Sequence, residues 1–134
     1  MDERTATCSC GNVRVICSGE PTRISMCHCL DCQRRTGAPF GVQAWFPRER
    51  LDISGTSSAY TRTLDDGRRR VTFQFCPGCG STVYWELSAR PGQIAIALGM
   101  FADPAFPVPC VSVWERRRHP WTVHIAECQM EHHV

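Results

Sequence analysis

Residues 71–85 read VTFQFCPGCGSTVYW, and this stretch joins an extended segment to a pair of cysteines on a turn. Its first five residues alternate apolar and polar side chains, which is the period-two pattern of a half-buried β-strand. The proline and glycine between Cys76 and Cys79 suit a tight turn, and Gly80 permits the positive φ that points backbone N–H groups at the sulfurs. The stretch therefore predicts a strand that ends in a metal-binding turn.

The rest of the chain repeats the strand pattern far more often than a helical one. Apolar residues alternate with others at 94–98 (IAIAL), 111–113 and 121–125, and turn signals rich in Gly, Pro and Asp separate these segments. Only residues 30–36 (LDCQRRT) are typical of a short helix, which Gly37 would end. We therefore expect a mainly β fold with at most one short helix.

Length and composition are those of an ordinary globular protein. The 134 residues suffice for one domain, which we expect to span 1–134 with a flexible tail from about residue 127. Hydrophobic residues make up 43% of the chain and charged residues 21%, and no apolar run is long enough to span a membrane. The polar N-terminal segment does not have the pattern of a signal peptide. We therefore expect a cytoplasmic protein with no membrane partner.

Ten cysteines in a chain of this size require an explanation, and their close spacing favours metal binding over disulfides. Two of the pairs are Cys8 with Cys10 and Cys76 with Cys79, each on a predicted turn. Together they supply the four thiolates of a closed tetrahedral zinc site, to which we assign a structural role. Zinc bound there would tie the N-terminal hairpin to the middle of the chain and would contribute on the order of 10 kcal/mol to folding.

A third group, in MCHCLDCQRRTGAPF (residues 26–40), contains three cysteines: Cys27, Cys29 and Cys32. Three thiolates can hold zinc and leave the fourth position open for chemistry. Such an electron-rich zinc is a weak Lewis acid, but it binds a soft sulfur ligand and keeps it deprotonated. The ligand set therefore predicts a thiol substrate, with a small electrophilic carbonyl compound as its partner. Two alternatives stay open: a distal cysteine such as Cys110 completes a closed structural site, or the three cysteines are reactive thiols without metal.

Other residues near these groups carry weaker signals. His28 lies between two cysteines of the third group, and we expect it to support the site or to contact substrate rather than to ligate the same ion; simple exposure to solvent is the competing interpretation. The isolated cysteines are expected to pack as small apolar residues; they are Cys17, Cys110 and Cys128. Basic runs at 66–70 and 115–119 flank turns without interleaved aromatic residues, so we do not expect nucleic-acid binding.

The motifs CSCGNVRV, MCHCLDCQRRTGAPF, FCPGCGSTVYW and RRRHPW occur in this order over about residues 7–122. In this they resemble the glutathione-dependent formaldehyde-activating enzyme family, which also includes centromere protein V. The resemblance implies a β-tent fold of stacked antiparallel sheets with two zinc ions per chain. It implies that a structural zinc is bound by Cys8, Cys10, Cys76 and Cys79. It implies that a catalytic zinc is bound by Cys27, Cys29 and Cys32.

The resemblance also implies a reaction and its partners. The family's reaction condenses glutathione with formaldehyde to S-hydroxymethylglutathione, which is a carbon–sulfur lyase reaction written in reverse. Glutathione carries two carboxylates, so its binding site should offer arginine or backbone donors, and Arg34 and Arg35 are the candidates. The rival hypothesis is a protein without catalysis, either a zinc-stabilised binding or scaffold module or a carrier of glutathione adducts.

Overall fold

The computed structural model describes residues 2–122 and 130–134. Its strands are β1 (Glu3–Thr7), β2 (Arg14–Ser18), β3 (Arg23–Cys27), β4 (Gly41–Pro47), β5 (Leu51–Ser54), β6 (Ser58–Thr63), β7 (Arg70–Phe75), β8 (Thr82–Leu87), β9 (Gln93–Ala97), β10 (Val111–Val113) and β11 (Glu131–His132). The single α-helix of the described residues, α1, spans Leu30–Thr36, and 3₁₀ turns span Arg48–Arg50, Leu98–Phe101 and Glu115–Arg117. The predicted mainly β fold with one short helix is confirmed.

The strands form two sheets. β1, β2 and β5 make a three-stranded antiparallel sheet, and the larger sheet has eight strands in the order β11-β10-β3-β4-β9-β8-β7-β6. Most neighbours are antiparallel, as predicted, but β10 pairs in parallel with both β3 and β11, so the larger sheet is mixed. In this pairing Val113 lies opposite Cys27. The C-terminal part of the chain is thereby placed beside the three-cysteine group.

The two sheets pack face to face around an apolar core. Alternation along β2 points Val15 inward, where it meets Phe46 and Ile96 from the central strands β4 and β9. Trp45 and Ala95 of the same two strands point to the opposite face and belong to a second apolar cluster. Because the middle of the larger sheet is buried on both faces, β4 and β9 are nearly continuous apolar runs rather than alternating ones.

The helix has the boundaries that the sequence predicts. The side chain of Cys29 caps its N-terminus by accepting a hydrogen bond from the backbone N–H of Cys32. Gly37 ends it in the left-handed region, with φ 68°, and donates its N–H to the carbonyl of Gln33. The chain therefore passes from β3 into α1 and then into β4, the neighbouring strand of the larger sheet.

Two predicted strand segments differ from the structure. β9 ends at Ala97, and Leu98 starts a 3₁₀ turn that keeps its side chain packed against the core. Trp121 lies in a short helical turn after Pro120, which has no N–H to give to a sheet, and positions 123–125 lie outside the described residues.

The isolated cysteines have different environments. Cys17 is fully buried, as predicted, and packs in the core between the sheets. Cys110 is exposed, so its predicted apolar packing is wrong; it lies just before β10 and its thiol donates to the carbonyl of Ile24 at 3.4 Å. Cys128 and the start of the predicted flexible tail lie outside the described residues, whereas Glu131–His132 form β11.

Candidate metal centres

The first cysteine group lies where the ends of two hairpins meet. The turn between β1 and β2 carries Cys8 and Cys10, and the turn between β7 and β8 carries Cys76 and Cys79. Each turn is closed by a backbone hydrogen bond from the N–H of its first cysteine, with lengths of 3.0 Å and 2.9 Å respectively. Gly80 has the predicted positive φ, 78°, which lets the second turn reverse tightly beside the sulfurs.

The four sulfurs of this group are arranged as a tetrahedral metal site requires. All four Sγ atoms lie within 4.8 Å of one another. The Sγ atom of Cys10 lies 3.6 Å from that of Cys8 and 3.5 Å from that of Cys76. Zinc–sulfur bonds of about 2.3 Å give a tetrahedron with edges of about 3.8 Å. The observed distances therefore fit zinc with all four positions filled by protein thiolates.

Nearby donors lower the pKa of two of these thiols, Cys76 and Cys79, whereas for Cys10 the lowering by the backbone of Asn12 is outweighed by hydrogen bonds with Cys76 and Cys8, which raise its pKa to about 11. A backbone N–H donates to the sulfur of Cys8 at 3.2 Å, and the side-chain amide of Asn12 donates to that of Cys76 at 3.4 Å. Hydrogen bonds with the hydroxyl and then the backbone N–H of Ser81 lower the pKa of Cys79 to about 5. Because metals bind the thiolate, this polar environment prepares the group for a cation.

The second cysteine group lies where β3 passes into α1. Cys27 is the last residue of β3, Cys29 is the N-cap of α1, and Cys32 lies in its first turn. The three Sγ atoms lie within 4.8 Å of one another, and the N–H of Cys32 donates to the sulfur of Cys29 at 3.3 Å. A change from strand to helix over so short a segment brings the three thiols together by local geometry alone.

Hydrogen bonds among the three thiols favour a single thiolate, that of Cys29. Side-chain hydrogen bonds from Cys27 and then from Cys32 lower the pKa of Cys29 far below that of a free thiol. The hydrogen bond to Cys29 raises the pKa of Cys27 in turn, since Cys27 acts as the donor. A bound divalent cation would displace the remaining two protons, because metal ligation requires thiolates.

Among the residues that the structure describes, no fourth Cys, His, Asp or Glu atom joins the second group within 4.8 Å. Cys110, the distal cysteine considered as a fourth ligand, lies outside the group and bonds to a backbone carbonyl. A tetrahedral metal held by these three thiolates would therefore take its fourth ligand from beyond this set.

His28 supports the segment between the cysteines from inside the fold. The residue is only 1% exposed, and its Nε2 is hydrogen-bonded to the hydroxyl of Ser112 on β10 at 3.2 Å. Its backbone N–H donates to the carbonyl of Val113 at 3.1 Å, and its ring lies 5.9 Å from that of Phe40. Burial lowers the pKa of His28, which favours the neutral ring. This geometry favours the predicted supporting role over contact with substrate.

Gln33 is a structural residue that sequence analysis missed. Its side-chain amide N–H groups donate to the carbonyls of His28 at 2.9 Å and Arg117 at 3.1 Å, while its Oε1 is hydrogen-bonded to Nε2 of His119 at 2.9 Å. One side chain thus joins α1, the three-cysteine segment and the turn after β10. A neutral polar residue on a short helix carries no sequence signal for such a role.

The two candidate arginines differ in their surroundings. Arg34 is exposed, whereas the guanidinium of Arg35 stacks over the ring of Trp85 at 4.3 Å and lies 5.6 Å from the ring of Phe73. Nη2 of Arg35 is buried and has no hydrogen-bond partner among the described residues. A β-carbon at Gly41 would lie 2.8 Å from this atom, so the glycine makes room for it. Arg35 also has no ion pair among the described residues, so its positive charge beside the cavities that it lines is available to an anionic ligand.

Three adjoining cavities follow α1, and we call them together the α1 groove. The central cavity, of about 430 Å³, is lined by Asp31, Arg34, Arg35, Tyr60, Arg62, Phe73, Phe75 and Thr82. The second, of about 280 Å³, shares Asp31 and Arg62 with it and is also lined by Cys29. The third, of about 530 Å³, shares Arg35 and Thr82 with it. The cavities therefore run along α1 from the unpartnered arginine to the three-cysteine group, and the ion pair between Asp31 and Arg62 (2.9 Å) lines both the central and the second cavity.

Comparisons with known proteins agree with this fold and these cysteine groups. No helix within residues 2–122 and 130–134 has the length and apolar character needed to cross a membrane. The crystal structure of a Rhodobacter sphaeroides protein is similar in fold, with a TM-score of 0.55 and 18% sequence identity, over 72% of this chain and 85% of that chain. A search of curated proteins gave no match.

The sequence model of a family described as "Glutathione-dependent formaldehyde-activating enzyme" matches residues 3–117. The matched range includes all seven cysteines of the two groups and both sheets apart from β11. The chain therefore belongs to the glutathione-dependent formaldehyde-activating enzyme family.

Proposed function

We propose that the protein is a zinc-dependent enzyme of carbon–sulfur lyase type that joins glutathione to a small aldehyde such as formaldehyde. The family's description supports the reaction, and the observation in this chain that carries the proposal is the three-thiol group beside the α1 groove. Zinc bound by Cys27, Cys29 and Cys32 would supply a fourth position in which a thiol stays deprotonated near neutral pH. Zinc bound by the four-cysteine group would stabilise the fold.

For the proposed reaction, the main task of the protein is to position its two substrates. The thiol sulfur attacks the aldehyde carbon, a carbon–sulfur bond forms, and the carbon–oxygen double bond becomes a single bond. The proton of the thiol ends on the aldehyde oxygen, so the sum is S-hydroxymethylglutathione with no other reactant. Because the uncatalysed addition is already easy, holding the two groups together suffices for the modest acceleration required.

Arg35 is the residue that we assign to a glutathione carboxylate. Its guanidinium is held by two aromatic rings, has no ion-pair partner among the described residues and lines the central cavity of the α1 groove. A carboxylate in this cavity would balance the charge of the guanidinium, which has no acidic partner among the described residues. Arg34 lines the same cavity from an exposed position, where solvent weakens its contribution.

The reaction can be measured directly by exchange NMR of labelled formaldehyde with glutathione. We expect the zinc-loaded protein to accelerate exchange above buffer and the Cys32→Ser variant to lose most of that acceleration, because two thiolates hold zinc poorly. Cys110→Ser is the matched control, since Cys110 lies outside both groups, and it should behave as the native protein. Binding of glutathione without faster exchange would support the carrier hypothesis, and exchange at the buffer rate would exclude formaldehyde activation.

Replacing Arg35 by methionine tests the carboxylate contact. Methionine keeps an extended side chain beside Trp85 but removes the charge. We expect the KM for glutathione to rise about tenfold, because this is the effect of losing one charge-assisted hydrogen bond. The change in kcat should be smaller. Arg34→Met should change KM by less than about threefold because that side chain is exposed. Equal effects of the two substitutions would contradict the assignment.

The cellular setting also belongs to the proposal. Every cysteine of the described residues is a free thiol, and both metal groups require their cysteines reduced. Reduced thiols and a glutathione substrate favour the cytoplasm, where disulfides are rare.

A further inference from the structure

Trp114 has a backbone conformation that a large side chain rarely adopts. Its φ of 57° and ψ of 40° lie in the left-handed region, where the described residues contain only one other non-glycine residue, Ala102. The indole is also 51% exposed, so burial in the core does not stabilise the residue in this conformation. Backbone strain of this kind persists where the surrounding contacts impose it, and it is concentrated at functional sites.

The contacts on both sides of Trp114 tie it to the second cysteine group. The preceding residue, Val113, pairs with Cys27 across the parallel strands and accepts the N–H of His28. The carbonyl of Trp114 accepts the N–H of Arg117 at 3.1 Å, which closes the following 3₁₀ turn. The left-handed residue therefore reverses the chain at the point where β10 leaves the three-cysteine segment.

The cavity of about 280 Å³ at this end of the α1 groove is lined by both Trp114 and Cys29, with Leu30, Leu64 and Leu87 as apolar neighbours. Arg117 lines the same cavity and has no ion pair among the described residues. Asp31 pairs with Arg62 and Asp66 with Arg69 in its wall, whereas Asp65 lines the cavity without an ion pair, so one charge of each sign is unpaired among the described residues. An exposed indole, three leucines and these two opposite charges suit a ligand with a flat, partly apolar body that carries both an ammonium and a carboxylate group. A peptide-like thiol has these properties, whereas a small neutral thiol has neither.

We propose that this cavity receives the body of the thiol substrate and that Trp114 is the residue that makes the site prefer peptide-like, zwitterionic thiols over small neutral ones. The inference rests on the proposed function, because it requires that a thiol binds at the three-cysteine group. The indole contacts the amide planes of the ligand, and the left-handed backbone holds the indole at the cavity mouth. The left-handed backbone of Trp114 lowers the stability of the fold, and in return the indole makes the thiol site selective.

The test compares glutathione with 2-mercaptoethanol on the zinc-loaded protein by isothermal titration calorimetry, with zinc content verified for each variant. Trp114→Gly removes the indole and suits a positive φ, whereas Trp114→Ala removes the indole and keeps the strain. We expect both variants to bind glutathione about tenfold more weakly and 2-mercaptoethanol unchanged. We expect the Gly variant to melt at or above the native Tm and above the Ala variant. Trp121→Ala is the control, because Trp121 is also exposed (61%) and does not line this cavity.

The outcomes separate this inference from the proposed function. If neither thiol binds the native protein, the proposed function fails and the inference fails with it. If both thiols bind but the Trp114 variants keep the native preference, or lose affinity for both thiols equally, only the inference is overturned. A large fall in Tm for Trp114→Gly would show that the indole serves stability, and it would also overturn the inference.

Discussion

Replacing Cys76 by serine is expected to abolish stable folding of the protein. The substitution removes one of four thiolates from the group that joins the β1–β2 and β7–β8 hairpins. A structural zinc contributes on the order of 10 kcal/mol in small zinc domains, which is comparable to the whole stability of a typical domain, about 5–15 kcal/mol. Circular dichroism should therefore show no cooperative thermal transition, and elemental analysis should show the loss of bound zinc.

The matched control for this variant is Cys110→Ser, because Cys110 is exposed and lies outside both cysteine groups. It should keep two zinc ions per chain and the native Tm. A Cys76→Ser variant with an unchanged Tm would mean that the four-cysteine group does not stabilise the fold, and the structural role assigned to it would have to be abandoned.

Replacing Gly55 by alanine should be nearly as damaging, although no metal ligand changes. A β-carbon at this position would lie 1.8 Å from the carbonyl oxygen of Asn12 and 3.0 Å from Cα of Val13. Both are backbone atoms, so no rotamer change can relieve the overlap, and φ of 89° disfavours alanine in addition. We expect the free energy of unfolding to fall by about 3 kcal/mol or more, measured by urea denaturation of the zinc-loaded protein.

The same substitution should also weaken the first metal group. Asn12 donates to the carbonyl of Thr56 at 2.8 Å and to the sulfur of Cys76 at 3.4 Å, so displacing it removes a donor from the thiolate. Gly67→Ala is the matched control: its φ is 70°, but an added β-carbon would have no neighbour within 4 Å, and about 1 kcal/mol is the expected cost. If the two variants lose equal stability, the close approach at Gly55 is not what the fold requires.

The sequence predicts the cysteine groups well because their geometry is mainly local. The cysteines of the second group share one turn between β3 and α1, so their spacing alone brings the sulfurs together. In the first group each pair lies on its own tight turn, and only the meeting of the two turns is a long-range event. The need for four thiolates around one zinc predicts that meeting, because two alone leave the metal incompletely bound.

Residues around the second group were not predictable in the same way. Gln33 and His119 are 86 positions apart in the chain, and His28 and Ser112 are 84 apart, so no periodic pattern relates them. Arg35 looks like any charged residue on a short helix until Trp85 and Phe73 of the larger sheet are placed beneath it. These contacts depend on which strands are neighbours in the larger sheet.

The sequence by itself determined the mainly β class, the bounds of α1 and the division of seven cysteines into groups of four and three. Alternation, a terminal glycine and the coordination chemistry of zinc act over a few residues, so short segments contain them. Only the tertiary structure decided that β10 lies parallel to β3, that His28 is buried, and that Trp114 borders the cavity beside Cys29. Parallel pairing requires a long crossover, and its partner is chosen by packing across the whole sheet rather than by any local pattern.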